Sequence, residues 1–380
     1  MNKNFYNMEQ SLTYSDQTIV GLLDSDGTHT IRILRRTNTP SLGITVLTSF
    51  NQSTQNFDAI EAIKQSYEDA RSYSFEQHTG LRRDNTERNS SRVDLNWNTT
   101  SGGHFYKMLE NKKSLAPGKQ RDYLIAKKCH EFSKNPDLIS LNPSKFKEKN
   151  GSYPLVEHST DVRSGAVEIK EAEVTFSNKQ PLIRKEKVSQ IAIAYLARQT
   201  SEKSKESAAK LKKRFRKIEE DCAQSTPEEK ALGYKLGKYY CFQIEQKYKQ
   251  EYESIRQETS LPSDYILGMH IGDGTLGCEI RISNSPGRRR YEILPFMRVN
   301  QSNDSYGLLE TYRNYFGTGT IEPRRSDSRY KLAGARVCKE KLIPIFEKYK
   351  LPKTKQLQYY FFREICEMVV NREHLTYDGF

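Results

Sequence analysis

The chain lacks any apolar run approaching the roughly 20 residues that a membrane-spanning helix needs. Its opening, Met1 to Gln17, is too polar for a secretory signal. A membrane partner is therefore not expected, and the protein reads as soluble and not secreted. The Arg-rich, acid-poor N-terminus of an organelle transit peptide is missing too, so import after cytosolic synthesis has no support. Cysteine is sparse. Six are scattered over 380 residues, at 129, 222, 241, 278, 338 and 366, with no Cys-x-x-Cys pair and no nearby His at zinc-ligand spacing. Neither a disulfide framework nor a zinc site is expected, and reduced thiols buried as small hydrophobes are. Acid is the minority charge: 48 Asp and Glu stand against 61 Lys and Arg, a net charge of +13. With a sequence pI near 9.2 and a mean hydropathy of −0.81, the excess suits either a polyanion partner or a solvated basic surface.

Motifs separate those two readings. Ile19-Val20-Gly21-Leu22-Leu23-Asp24-Ser25-Asp26-Gly27 and Ile266-Leu267-Gly268-Met269-His270-Ile271-Gly272-Asp273-Gly274 are both apolar stretches with Gly at the third position and Asp-Gly at the end. An alternating, strand-like run follows each, Thr28 to Ile33 and Glu279 to Ser283. Next come Asn51-Gln52-Ser53 and Asn300-Gln301-Ser302, with Gln52 lying 26 residues after Asp26 and Gln301 28 after Asp273. A helical pattern succeeds each (57–67 and 306–316), then two strand candidates, with Ser91-Arg92 matched by Ser328-Arg329. A closing helix is seeded by Lys119-Gln120 and by Lys355-Gln356. Such a parallel succession over about a hundred residues is an internal repeat.

The composition changes between the repeats. Residues 135–187 are rich in Pro, Asn, Ser and charge, whereas 188–258 are helix-like, with a basic stretch from Lys203 to Lys217 that suits a solvated helix face better than a phosphate track. The expected organisation is a first repeat at 16–133, an enlarged linker with a helical insert at 134–260, and a second repeat at 261–380.

The two nine-residue segments resemble the signature of the LAGLIDADG family, and the element order resembles that family's αββαββα half. The resemblance covers about 16–133 and 261–380. It implies an α+β fold of two pseudo-symmetric halves, their antiparallel sheets forming one saddle over double-stranded DNA, and a monomer that cuts both strands of a long site. It implies Mg²⁺ or Mn²⁺ held by Asp26 and Asp273, with the carbonyls of Ser25 and Gly272 nearby; hard cations on carboxylates suit phosphodiester cleavage. Gln52 and Gln301 match pocket-lining positions that help hold the attacking water. Arg336 falls near the family's basic residue beside the scissile phosphate, whereas the first repeat has the neutral Thr99 there. Thr30, Arg32, Arg36, Arg281, Ser283 and Arg298, on or beside the strands, and Arg288, Arg289 and Arg290 in an expected hairpin turn, are the candidate DNA contacts. An intron-encoded role promoting intron mobility follows, with an organelle, chloroplast or mitochondrion, as the place of synthesis.

Three other readings compete. An intron RNA maturase would use the same scaffold, with intron RNA as partner. Asp24-Ser25-Asp26-Gly27-Thr28 also fits the nucleophile loop of haloacid-dehalogenase-type phosphatases, with Asp24 attacking, but that fold needs parallel strands alternating with helices. Gly272-Asp273-Gly274-Thr275-Leu276-Gly277 fits the dinucleotide fingerprint G-x-G-x-x-G, in a context that is reversed, since a strand should precede it and a helix follow. For the acids themselves, the bland role is helix capping, and Asp24 is expected to brace a helix interface.

Overall fold

The structure, a computed structural model, describes residues 12–35, 42–67, 71–75, 90–112, 116–134, 146–147, 173–174, 185–203, 212–213, 216–217, 220, 222–257, 261–285, 288–325 and 327–375. They fall into two compact units. One takes in 1–32, 45–126 and 243–380, and so contains the second repeat and most of the first; the other takes in 33–44 and 127–242.

In the first unit, each repeat opens with its signature helix: α1 (Asp16–Asp26) and, further on, α7 (Ser263–Gly272). Ser15 starts α1 by accepting the Thr18 amide at 3.3 Å, with Asp16 in the first turn favouring the helix dipole. The Ser15 hydroxyl also donates to Asp264 at the head of α7, at 2.7 Å. Residues 18–24 and 265–271 are buried all round, which is why these segments are apolar on every face and not on one stripe.

The first repeat continues through β1 (Gly27–Arg35), β2 (Leu42–Ser53), α2 (Phe57–Ser66), β3 (Arg71–Phe75), β4 (Ser90–Asn96), α3 (Thr100–Asn111) and α4 (Pro117–Lys134). The second continues through β7 (Gly274–Ser285), β8 (Arg288–Ser302), α8 (Tyr306–Phe316), β9 (Thr320–Pro323), β10 (Asp327–Ala333) and α9 (Lys353–Val370). Between β10 and α9 lies a broken helical stretch of Ala335–Val337, Cys338–Leu342 and Ile343–Glu347. The two antiparallel sheets have one topology, β1-β2-β4-β3 and β7-β8-β10-β9. The fold is thus α+β with two αββαββα halves, as the repeat implies, except that each half carries an extra helical stretch ahead of its closing helix.

Strand alternation assigns the faces. In the second sheet, Leu276, Met297, Val299, Tyr330 and Leu332 are buried against helices, leaving Thr275, Glu279, Arg281, Arg298 and Lys331 on the open face. In the first, His29, Ile31, Val46, Phe50, Val93 and Leu95 point inward, and Thr30, Arg32, Arg92 and Asp94 lie on the open face.

The second unit holds the ribbon of β5 (Phe146–Lys147) and β6 (Glu173–Val174), the helix α5 (Lys185–Lys203) and the start of α6 (Pro227–Gln257). Thr226 and Glu229 cap α6 reciprocally, at 2.8 and 3.2 Å. A small core of Ile191, Ala194 and Cys222 is covered by Tyr234, and of the basic stretch 203–217, Lys212, Lys213, Arg216 and Lys217 are exposed.

Candidate active site and nucleic-acid interface

The site begins with two glycines. A Cβ on Gly268 would lie 2.0 Å from the Thr18 carbonyl oxygen, and one on Gly21 would lie 2.3 Å from that of Tyr265. The backbones of α1 and α7 therefore touch, which only glycine permits. One turn further on, the motif ends meet: a Cβ on Gly272 would fall 1.9 Å from Ser25 Oγ and 3.0 Å from Asp26 Oδ2. Asp26 closes α1 and Asp273 caps α7, so carboxylates 247 positions apart in sequence share one pocket. The Ser25 hydroxyl is turned back along its own helix, donating to Leu22 O at 3.0 Å.

Electrostatics bear out that proximity. The Asp273 carboxyl is pushed up to about 6, first by burial and then by the Asp26 charge; the Asp26 carboxyl is raised by burial. Against both shifts work three groups per acid. Gln52, at the end of β2, donates its amide to Asp26, and Gln301, at the end of β8, donates to Asp273 at 2.9 Å. Lys119 and Lys355 favour ionisation of both acids.

The two lysines are mirrored. Lys119, near the head of α4, donates to the Gly27 carbonyl, and Lys355, near the head of α9, donates to that of Gly274 at 2.6 Å. Each is thus tied to the residue following its own half's aspartate. Burial lowers the Lys355 pKa and the two carboxylates oppose that shift. Among the described residues, the basic side chains acting on both carboxylates are these two, and Arg336 is not one of them. Strand β10 ends at Ala333, Gly334 turns the chain at φ 107°, and Arg336 stands exposed on the helical stretch beyond. Its counterpart Thr99 is the cap of α3, accepting the Gly102 amide at 3.2 Å. The signal for the lysines was present in the repeated Lys-Gln pair, which sequence alone reads as a helix start.

Asp24 takes no part in this pocket. It is buried, accepts the Ala116 amide at 2.9 Å and the Tyr265 hydroxyl at 2.7 Å, and so ties α1 to α7 and to the approach of α4. Held this way, and with both sheets antiparallel, Asp24 cannot be the exposed nucleophile of a haloacid-dehalogenase fold, and that reading is withdrawn.

Of the candidate DNA contacts, Thr30, Arg32, Arg281 and Arg298 lie on the open sheet faces. Ser283 lies on β7, paired in register with Arg290, and Arg288 to Arg290 belong to β8 and not to the hairpin turn where they were expected. Arg36 lies outside the described residues. Glu279 and Asp94, the acids that bind these cations, were missed in the sequence because acids are not sought among candidate DNA contacts.

Comparison with known proteins places this geometry. The family profile described as LAGLIDADG endonuclease matches residues 266–366. Among solved structures, I-SmaMI bound to uncleaved DNA target with calcium ions aligns with a TM-score of 0.60 at 14% identity, covering 97% of this chain and 95% of that one. The LAGLIDADG homing endonuclease I-LtrWI on target DNA aligns with a TM-score of 0.59 at 15% identity, covering 96% and 93%. I-GzeII, also of that family and with its DNA target, gives 0.59 at 12%, covering 97% and 94%. A search of curated protein sequences finds no match. Residues 266–366 are thus similar to the LAGLIDADG endonuclease family model, and the chain shares the fold of these solved LAGLIDADG homing endonucleases.

Proposed function

We propose that this protein is a site-specific homing endonuclease that binds a long duplex DNA site and hydrolyses one phosphodiester in each strand. The observation that carries the reading is the mirrored set at the α1–α7 junction, Asp26-Gln52-Lys119 facing Asp273-Gln301-Lys355. A duplex is itself pseudo-symmetric, and two identical reactions on antiparallel strands call for two copies of one donor set.

The donors suit a divalent ion. Two carboxylates, raised by burial and in Asp273 also by each other's charge, with the carbonyls of Ser25 and Gly272, form a hard-oxygen set that fits Mg²⁺ or Mn²⁺. Among the described residues no cluster of three or more His, Cys, Asp or Glu exists, so phosphate oxygens and water would complete the shell. Such an ion supplies Lewis-acid stabilisation of the phosphate and a more acidic bound water. The chain's own groups do the rest. The Gln52 and Gln301 amides fix the carboxylate rotamers, and the Lys119 and Lys355 ammonium groups lie where charge develops on the phosphate. Because both repeats lie in one chain, the site is complete in a monomer. The open sheet faces supply cations for the duplex, and intron homing from an organelle-encoded gene is the biological role that fits.

The test is cleavage of duplex DNA spanning the gene's own insertion site. Asp26→Asn and Asp273→Asn should each abolish cleavage in Mg²⁺ while leaving duplex binding intact, because removing a carboxylate weakens ion ligation and also lowers repulsion toward phosphate. A wild-type protein that binds duplex DNA no better than a neutral control, or an Asp26→Asn protein that still cuts, overturns the reading.

A further inference from the structure

On each sheet's open face a group of cations gathers on one acid, and the two groups do so with the charges exchanged. In the first repeat the acid is Asp94 on β4, which forms an ion pair with Arg32 of β1 at 3.7 Å and accepts hydrogen bonds from Arg92 and, at 2.7 Å, from Ser49 of β2. In the second the acid is Glu279 on β7. It accepts Lys331 of β10 at 2.8 Å on both oxygens, Arg281 at 2.9 Å, and Arg298 of β8.

These are equivalent positions. Arg32 lies six residues beyond Asp26, and Glu279 six beyond Asp273. Across the strands, Gln52 faces Ser91 and Ser49 faces Asp94, while Gln301 faces Ser328 and Arg298 faces Lys331. The trio Arg32, Ser49, Asp94 thus maps onto Glu279, Arg298, Lys331: cation, neutral, acid becomes acid, cation, cation. The Glu279 carboxyl is held down to about 2 by its bonds from Lys331 and Arg281.

We infer that Glu279 and Asp94 are positioning residues that set different base preferences at matching places in the two half-sites. The inference rests on the endonuclease reading. At the β1 position the first repeat presents Arg32, with 46% of its side chain exposed and five donors suited to guanine in the major groove. At the same place on β7 the second repeat presents a carboxylate whose acceptors are taken by its neighbours. Its exposed guanidinium is Arg281, 55% exposed and two residues further along the strand. Two strand residues advance about 7 Å, of the order of two base-pair steps. Arg281 is also pinned, both Nε and Nη2 bonding one Glu279 oxygen, at 3.2 and 2.9 Å, so its remaining donors have a fixed direction. The guanine read by Arg32 should therefore have its counterpart about two base pairs further from the cleavage centre in the other half-site.

The experiment is selection of a randomised duplex DNA library by the full chain, in Ca²⁺ to hold cleavage back, followed by affinities for every single-pair change in the selected site. Wild-type protein should give a site that departs from palindromy at those two places. Glu279→Gln, nearly isosteric, should flatten the preference at one or two adjacent pairs of one half-site by roughly tenfold to a hundredfold, leaving the other half-site as it was. The triple change Glu279→Arg, Arg298→Ser, Lys331→Asp copies the first repeat's trio and should give that half-site the inverted preference of its partner. A Glu279→Gln protein that loses affinity equally for all sequences, or keeps its profile, overturns the inference while leaving the endonuclease reading standing. A wild-type protein that selects no duplex sequence sinks both.

Discussion

Gly268→Ala is a test of sign as well as size. In a helix interior alanine is favoured over glycine by about 1 kcal/mol, so on propensity alone the substitution stabilises α7. Here the new Cβ would sit 2.0 Å from the Thr18 carbonyl oxygen and 2.8 Å from the Leu22 nitrogen, both backbone atoms of α1 that no rotamer change can move. Ordinary contact needs more than about 3.4 Å, so the helices must part by about 1 Å or more. Overpacking of this kind costs about 1–3 kcal/mol, which outweighs the propensity gain. Asp26 and Asp273 lie one turn along the same junction, and a misplacement of about 1 Å at reacting groups lowers rates by about a hundredfold. Denaturant unfolding should therefore show lower stability, and single-turnover cleavage of the selected duplex a slower rate at unchanged binding. Gly21→Ala meets the Tyr265 carbonyl from the opposite helix at 2.3 Å and should behave alike, whereas the double variant should cost less than the sum, because one parting admits both methyls. A Gly268→Ala protein that is more stable than wild type and cuts at the wild-type rate would refute close backbone contact at this junction.

Lys119→Met and Lys355→Met should each slow cleavage by about 10²–10³-fold in single-turnover assays, while Arg336→Met leaves the rate unchanged. Equal losses for all three would return the basic role to Arg336. Asp24→Ala leaves the Ala116 amide and the Tyr265 hydroxyl without their acceptor, at a cost of about 1–3 kcal/mol for each unpaired buried group, and should lower the unfolding midpoint while the folded fraction still cuts; loss of turnover at full stability would contradict a bracing role. His29 is buried, and burial lowers its pKa from 6.5 to about 3, with Lys119 acting in the same direction. The Thr48 hydroxyl accepts the Trp97 indole N–H at 2.8 Å and is 3.0 Å from His29 Nδ1. A depressed histidine contributes stability that is whole above 6.5 and is lost as pH falls toward 3, by at most about 1.4 kcal/mol per pH unit. His29→Leu should remove that part of the slope in denaturant titrations between pH 6.5 and 4, and an unchanged slope would show that His29 is not buried neutral.

Repeat order and the two aspartates could be read from sequence because both are written locally. The glycine at the third motif place, the terminal Asp-Gly and the strand-ending Gln recur in order, with spacings of 26 and 28 residues from Asp to Gln. Lys119 and Lys355 were not legible as site residues, because one lysine among 61 basic residues acquires a role only when the closing helix carries it under the junction. Arg336 misled for the converse reason. Counting along β10 carries the eye to it, but the φ of 107° at Gly334 ends the strand and sends the chain into a helical stretch that no residue pattern announces. The exchanged charges of Arg32 and Glu279 escape comparison of the repeats by residue type, since they are equivalent in place and opposite in sign.

What the repeats share and where they part follows a physical order. Carboxylate, amide and lysine are the same in both, as the proposed endonuclease reading requires, since there each would act on a phosphate or an ion by its donor type. Support for those groups differs. Gln52 is fixed from behind: its Oε1 accepts Asn56 Nδ2 at 3.2 Å, and Asn56 accepts the Thr354 hydroxyl from the head of α9, whose Lys353 amide is bonded by Asp58 at 2.7 Å. So the second repeat's closing helix, which delivers Lys355, also orients the amide facing Asp26. The matching places in the other direction are Gly118, which has no side chain to reach across, and Ser305, whose side chain is shorter than that of Asn56. Among the described residues, one carboxylate is thus tied to the opposite repeat through three side chains and the other has no matching chain of bonds. In a homodimer both sites would carry the same support; a single chain with two repeats is free to let them diverge, and the exchanged charges on the open sheets are the same freedom spent on the faces proposed to meet the duplex.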